Sequence, residues 1–221
     1  MNGGGDSVYE YDAIRAVVNN IAQLHKKWLE IVLVVGAGNL RRRRDNQESG
    51  IERSRSDYLG MTATVMNAVV FSDLLRQASL QSIVYSPESL QIPNGTRPYN
   101  ISEAREQLSQ GNIVLCSWWV FMPYNTTDAA AVQRALELNC DLVVKWTRVD
   151  GVYDKDPLQY DDAVKFERLT WQDALGEEIK VMDQPAMAMA RVNQLPIYVC
   201  HIESIAHIGI GKLDQGTMVE G

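Results

Sequence analysis

The stretch VVKWTRVDGVYDKDP, residues 143–157, sets the architecture expected of the whole chain. It follows Leu142 as an apolar run, Val143-Val144, which reads as a short buried strand. It turns polar at Thr147, bends at Asp150-Gly151 and stops at Asp156-Pro157. A buried strand running into a polar, turn-rich loop is where an open α/β sheet takes its ligands. Such a stretch can also be a plain strand and surface turn, since Asp-Gly and Asp-Pro pairs are ordinary turn chemistry.

Outward from this stretch the chain alternates helix-like and strand-like segments. Helical spacing of Ile14, Val17, Val18, Ile21 and Leu24 predicts a helix over 11–28, with Asp12 near its start. The β-branched run at 31–35 predicts a buried parallel strand. Gly36-Ala37-Gly38-Asn39 follows directly, a small-residue turn that lets backbone N–H groups approach an anion. Residues 45–56 are polar and read as a loop. A long helix is expected over 57–77, with Asp57 as a candidate cap. Strands are expected at 82–85 and 113–116, with a helix ending near 108 and Ser102 as its candidate cap. Thr126-Thr127-Asp128 opens a helix over 129–139, and hydroxyls with free N–H groups at a helix start suit phosphate as well as simple capping. A helical patch begins at Thr170, and a methionine-lined helix over 186–193 follows Asp183, itself a candidate cap. A late strand spans 196–200. This alternation argues for a three-layer α/β/α sandwich with a mainly parallel sheet.

Composition narrows the function. The 221 residues suit one sizeable α/β domain, given about 100–200 residues per domain. A net charge of −7 argues against a general nucleic-acid binder. No apolar run reads as approaching the ~18 residues that span a membrane, and the first residues lack the plan of a signal peptide. Cys116, Cys140 and Cys200 are isolated and odd in number, which reads as reduced thiols in a cytoplasmic protein. His25, His201 and His207 form no cluster of metal ligands.

The string T-x-V-D-G-V-Y-x-x-D-P at 147–157 resembles the nucleotide loop of the amino acid kinase superfamily, and within it that of the bacterial UMP kinases. VVGAGN at 34–39, DYLGMTATVMNA at 57–68, NTTDAAAVQRALELNCD at 125–141, VMDQPAMAMARVNQLPIYV at 181–199 and Gly216-Thr217 match in the same order. The resemblance covers nearly everything from Tyr11 onward. It implies the amino acid kinase fold as a single domain over 1–221, with two lobes sharing the sheet. It also implies transfer of phosphate from ATP with magnesium to UMP, cytoplasmic location and a homohexamer. By the same resemblance, Gly36, Ala37, Asp57, Thr126 and Thr127 would hold the acceptor nucleotide. Gly38, Arg42, Thr147, Tyr153 and Asp156 would hold ATP, with Arg42 and Asp183 serving the transferred phosphoryl group.

The chain departs from the family pattern at named places. Trp118 and Trp119 stand where the family carries glycines, followed by Val120, Phe121 and Met122. Arg41, Arg42, Arg43 and Arg44 replace a Phe-Arg-Gly pattern. Trp28 stands where glycine usually joins helix to strand, and Trp146 where small residues are usual. The opening Met1-Asn2-Gly3-Gly4-Gly5-Asp6 lacks the family's first strand and its lysine, a group expected to neutralise charge on the moving phosphoryl. These departures predict impaired transfer. They keep open two alternatives: a catalytically inactive, engineered or truncated nucleotide-binding scaffold, and a molybdenum- or tungsten-type oxyanion storage protein of the same superfamily.

Overall fold

The computed structural model describes residues 8–40, 50–117, 123–176, 179, 181–209, 213 and 215–221. The chain divides into two compact units at 127/128, the first turn of a helix. Arg42 with its neighbouring arginines, Trp118 and Trp119 with the three residues after them, and the opening glycines lie outside the described residues.

In the first unit, α1 spans Tyr11–His25 and turns Ile14, Val18, Ile21 and Leu24 inward, the stripe expected from its spacing. It ends three residues earlier than expected, because His25 and Leu24 carbonyls are capped by a tight turn ending at Trp28. Trp28 has φ 62° and is 95% exposed. That left-handed backbone favours glycine, and a residue with a Cβ is strained there by about 1 kcal/mol or more. Since the indole has no packing to lose, Trp28→Gly should raise the thermal midpoint by roughly 2–4 °C. An unchanged or lower midpoint in calorimetry would contradict this.

The sheet of this unit has the order β1 (Val32–Val34), β4 (Ile113–Cys116), β2 (Ser82–Ser86), β3 (Arg97–Pro98), and every pairing is parallel. Its β-branched strands meet α1 and the long helix α2 (Arg53–Gln77) in one core that includes Ile21, Leu33, Ala68, Leu75, Val84, Ile113 and Leu115. Deep within it, Ser72 Oγ on α2 and Ser82 Oγ on β2 hydrogen-bond at 2.9 Å, so two buried hydroxyls satisfy each other.

α2 begins at Arg53, four residues before the expected start. Ser56 is buried within its first turn, and Arg53 lies on the same face as Asp57. Asp57 is therefore in the second turn, and the capping role expected of it is not the one it has. α2 is 25 residues long and apolar enough by length and composition alone to cross a membrane, but half of its most apolar stretch is buried in the protein and its residues join the core of this unit. Within it the Thr62 and Thr64 hydroxyls bond back to the Tyr58 and Met61 carbonyls. Farther on, α3 (Ile101–Ser109) is capped by Asn100, whose side chain accepts from Glu103 N at 3.0 Å, so Ser102 is not the cap.

The second unit has a four-stranded sheet of its own, in the order β5 (Val143–Thr147), β9 (Ile197–His201), β10 (Gly216–Val219), β8 (Arg168–Leu169). The β5–β9 and β10–β8 pairs are parallel and β10–β9 is antiparallel. β6 (Val152–Tyr153) and β7 (Lys165–Phe166) form a separate antiparallel ribbon. The core joins α4 (Thr127–Glu137), α5 (Trp171–Gly176) and α6 (Gln184–Val192) to these strands through Val132, Trp171, Ala186, Met187, Ala190, Ile197 and Val219. Met187 is fully buried, so the methionine-lined helix is core. The expected α/β/α sandwich class with mainly parallel pairing stands, with the described strands in one four-stranded sheet per unit and the β6–β7 ribbon beside them in the second.

Candidate functional site

Two clusters gather the residues singled out in the sequence, one in each unit. In the first unit, β1 delivers the chain to the loop Gly36-Ala37-Gly38-Asn39, which closes in a turn where Leu40 N donates to Ala37 O at 3.0 Å. A buried side chain that sequence reasoning missed holds this loop. Asn67 on α2 donates from Nδ2 to Gly36 O at 2.7 Å and to Asn39 Oδ1 at 2.7 Å, and its Oδ1 accepts from Asn39 Nδ2 at 3.2 Å. A backbone carbonyl can only accept, so the bond to Gly36 fixes which end of the Asn67 amide faces the loop. Gly36 lies beside the start of α4: a methyl there would sit 3.6 Å from Thr127 Oγ1. Among the described residues, a methyl at Gly38 would meet nothing within 4 Å, and neither glycine is demanded by crowding.

Asp57 is brought to the segment just before α4. Its Oδ2 accepts from Tyr124 N at 2.8 Å and lies 3.9 Å from Arg53 Nε. The Arg53 guanidinium stands 4.3 Å over the Tyr124 ring. Tyr124 holds φ 73°, a strained conformation for an aromatic residue. Thr126 precedes α4 and Thr127 is its first residue, so Gly36, Asp57, Thr126 and Thr127 do converge on one edge of this unit.

In the second unit, Thr147 closes the end of β5. Its Oγ1 accepts from Val149 N at 3.1 Å and donates to Val149 O at 2.6 Å. Asp150 is the hub that follows: Oδ1 accepts from the Tyr153 hydroxyl at 2.5 Å and Oδ2 from Lys165 Nζ at 2.8 Å. The Lys165 bond, then the Tyr153 bond, hold the Asp150 carboxyl below the usual carboxylate range. The same bond to Asp150 pushes the Tyr153 phenol up. Asp156 builds a side-chain turn, accepting Leu158 N at 3.0 Å and Gln159 Nε2 at 2.7 Å. Asp183 caps α6, its Oδ1 accepting from Ala186 N at 2.9 Å. Lys145 on β5 pairs with Asp128 of α4 at 2.6 Å, another contact the sequence did not announce. The structure thus brings Thr147, Asp150 and Tyr153 into one turn, places Asp156 just beyond it, and gives Asp183 a capping bond.

Cys116 and Cys200 are buried, and burial pushes the Cys200 thiol up to about 11, which keeps it an unreactive thiol at neutral pH. Among the described residues, no group of three His, Cys, Asp or Glu side chains is placed to hold a metal.

Comparison with known proteins places these motifs. The family model described as "Amino acid kinase family" matches residues 3–201. A uridylate kinase of Campylobacter jejuni subsp. doylei is 38% identical over 194 residues, spanning 87% of this chain and 80% of that relative. A uridylate kinase of Rickettsia bellii is 35% identical over 208 residues, 94% of this chain and 86% of the relative. Among solved structures, the UMP kinase of Bacillus anthracis superposes with a TM-score of 0.92 at 28% identity, covering 99% of this chain and 90% of that one. The UMP kinase of Ureaplasma parvum, at 24% identity and TM-score 0.89 over 100% of this chain and 94% of that one, shares the fold.

Proposed function

This chain belongs to the amino acid kinase family, and from that premise we propose that it is a UMP kinase-like nucleotide kinase whose reaction is ATP + UMP → ADP + UDP. A phosphate oxygen of UMP attacks the γ-phosphorus of ATP. The bond from that phosphorus to the bridging oxygen breaks, and ADP leaves with the electron pair. Such a transfer needs positioning and charge stabilisation more than covalent help from the protein. The observation that carries the reading is the loop Gly36–Asn39, clamped by Asn67 and set beside Thr127.

On this reading Gly36, Ala37, Asp57, Thr126 and Thr127 serve the acceptor. Gly38, Arg42, Thr147, Tyr153 and Asp156 serve ATP, and Arg42 and Asp183 act on the transferred group. Asp57, which now accepts from Tyr124 N, would exchange or share that bond with a ribose hydroxyl. Magnesium typically keeps several waters and binds through phosphate oxygens and one or two carboxylates. A donor set of Asp183 with substrate phosphates fits that chemistry without a three-ligand protein cluster. Bound there, the ion would neutralise phosphate charge.

The acceptor side is the weaker one. Trp118, Trp119 and Phe121 replace the small residues of the family pattern, and tryptophan does not allow the close backbone approach that glycine does. Even ~1 Å of misplacement can cost about 100-fold in rate. Separate calorimetric titrations of ATP and UMP, beside a coupled UMP kinase assay, test the whole reading. ATP should bind measurably, UMP should bind more weakly, and turnover should be slow. UMP binding tighter than ATP, or turnover of ordinary size, would overturn the impairment. Failure of both nucleotides to bind would overturn the kinase reading.

The chain should also assemble with copies of itself, a hexamer by family resemblance, in the cytoplasm. α2 buries Met61 and Val65 yet leaves Tyr58, Leu59 and Met66 exposed, and a helix apolar beyond one stripe usually packs on two sides. Light scattering at micromolar concentration should show a species larger than the 24.8 kDa monomer, and a monomer alone would count against assembly.

A further inference from the structure

We infer that Thr217 is a positioning residue for the donor nucleotide, holding the Asp150-Gly151-Val152 turn from a strand 65 residues away. The inference rests on the functional reading above, in which Thr147, Tyr153 and Asp156 on either side of this turn serve ATP. Thr217 lies in β10 and is completely buried. Its Oγ1 accepts from Val152 N at 2.8 Å and donates to Phe166 O. Val152 and Phe166 are cross-strand partners in the β6–β7 ribbon. One hydroxyl therefore stands between the N–H of one ribbon strand and the carbonyl of the other, using its donor and one acceptor position.

The contact is also tight against the turn itself. A methyl at Gly151 would sit 2.7 Å from Thr217 Oγ1 and 3.0 Å from Lys165 Cδ. The absent side chain at Gly151 is thus what lets the hydroxyl reach the ribbon. On either side of Gly151 hang the groups that matter: Asp150, tied to Tyr153 and Lys165, and the ribbon residue Tyr153. Thr217 is buried and reaches these groups through the backbone, so its effect on a nucleotide is indirect. A group that over-determines a turn in this way supplies the preorganisation a binding loop needs.

Thr217→Val keeps the shape and removes both hydrogen bonds, whereas Thr217→Ser keeps the hydroxyl. Calorimetric titration of the full chain with ATP should show the dissociation constant rising at least tenfold in Thr217→Val and staying within about twofold in Thr217→Ser. Gly151→Ala, which presses a methyl on the same hydroxyl, should reproduce the loss and serves if the valine variant does not fold. ATP affinity unchanged in a folded Thr217→Val, or equal losses in the valine and serine variants, would overturn the inference. No ATP binding by the unaltered chain would overturn the functional reading, and the inference with it.

Discussion

Gly216→Ala should destabilise the second unit by about 3 kcal/mol, the largest single stability loss expected in the chain. Gly216 opens β10 and pairs with Cys200 on the antiparallel neighbour β9. A Cβ there would lie 2.4 Å from Val199 O and 2.6 Å from Cζ of the Tyr198 ring. Neither neighbour can move cheaply. Val199 O is backbone within the sheet, and Tyr198 is buried with its hydroxyl accepting from Gln215 N at 3.1 Å. The strand must therefore shift as a whole, which pulls Thr217 away from Val152 and Phe166. A thermal midpoint lowered by roughly 6–12 °C is the expected reading. A midpoint within about 2 °C of the parent would show that the strand tolerates the methyl and that the close approach is not needed.

Asn67→Asp should have the largest effect in the first unit. The substitution keeps the size of the side chain and converts its donor end to an acceptor. Gly36 O and Asn39 Oδ1 then lose a donor, and a carboxylate oxygen faces a carbonyl 2.7 Å away in the present geometry. Leaving buried or half-buried polar groups unmatched costs about 1–3 kcal/mol. A loss of about 2 kcal/mol in denaturant unfolding is expected, together with a tenfold or greater weakening of phosphate-bearing ligands relative to the bare nucleoside. Asn39→Ala, which removes the reciprocal pair and leaves the bond to Gly36, should cost about half as much. Equal stability of the aspartate variant and the parent would mean that the amide does not hold the loop.

Much of the fold could be read from local pattern. The β-branched runs became parallel strands, α1 buried the stripe its spacing picks out, and Asp183 caps the helix it precedes. The misses have physical causes. The first turn of α2, Arg53-Ser54-Arg55-Ser56, carries no apolar period, yet Ser56 is small enough to be buried there. Asn100 and Ser102 are both plausible caps by residue type, and only the geometry at Glu103 N chooses Asn100. β6 and β7 are two residues each, too short to show alternation.

For the site, the residue types were visible but their partners were not. Thr147, Tyr153 and Asp156 follow a local string, and Thr147 and Asp156 make bonds within three residues. Lys165, Asn67 and Thr217 act across 15, 31 and 65 residues, where no spacing rule applies. Asp57 does not cap its own helix start as its residue type suggests, but accepts from the Tyr124 amide 67 residues on.

The strand order of the second unit bears on how the chain is made. All the strands of the first unit's sheet have been synthesised by Cys116. In the second unit β8 joins its sheet only through β10, although 46 residues lie between Leu169 and Gly216. Domains generally fold as units, N-terminal first, while translation continues at about 5–20 residues per second. The first half can thus close its sheet early, whereas in the second half Val143–Thr147 can pair with Ile197–His201 once both have emerged, and only Arg168–Leu169 waits for Gly216–Val219. Translation interrupted after His201 would leave that one short strand, and the open edge of Ile197–His201, without the partner that completes the sheet.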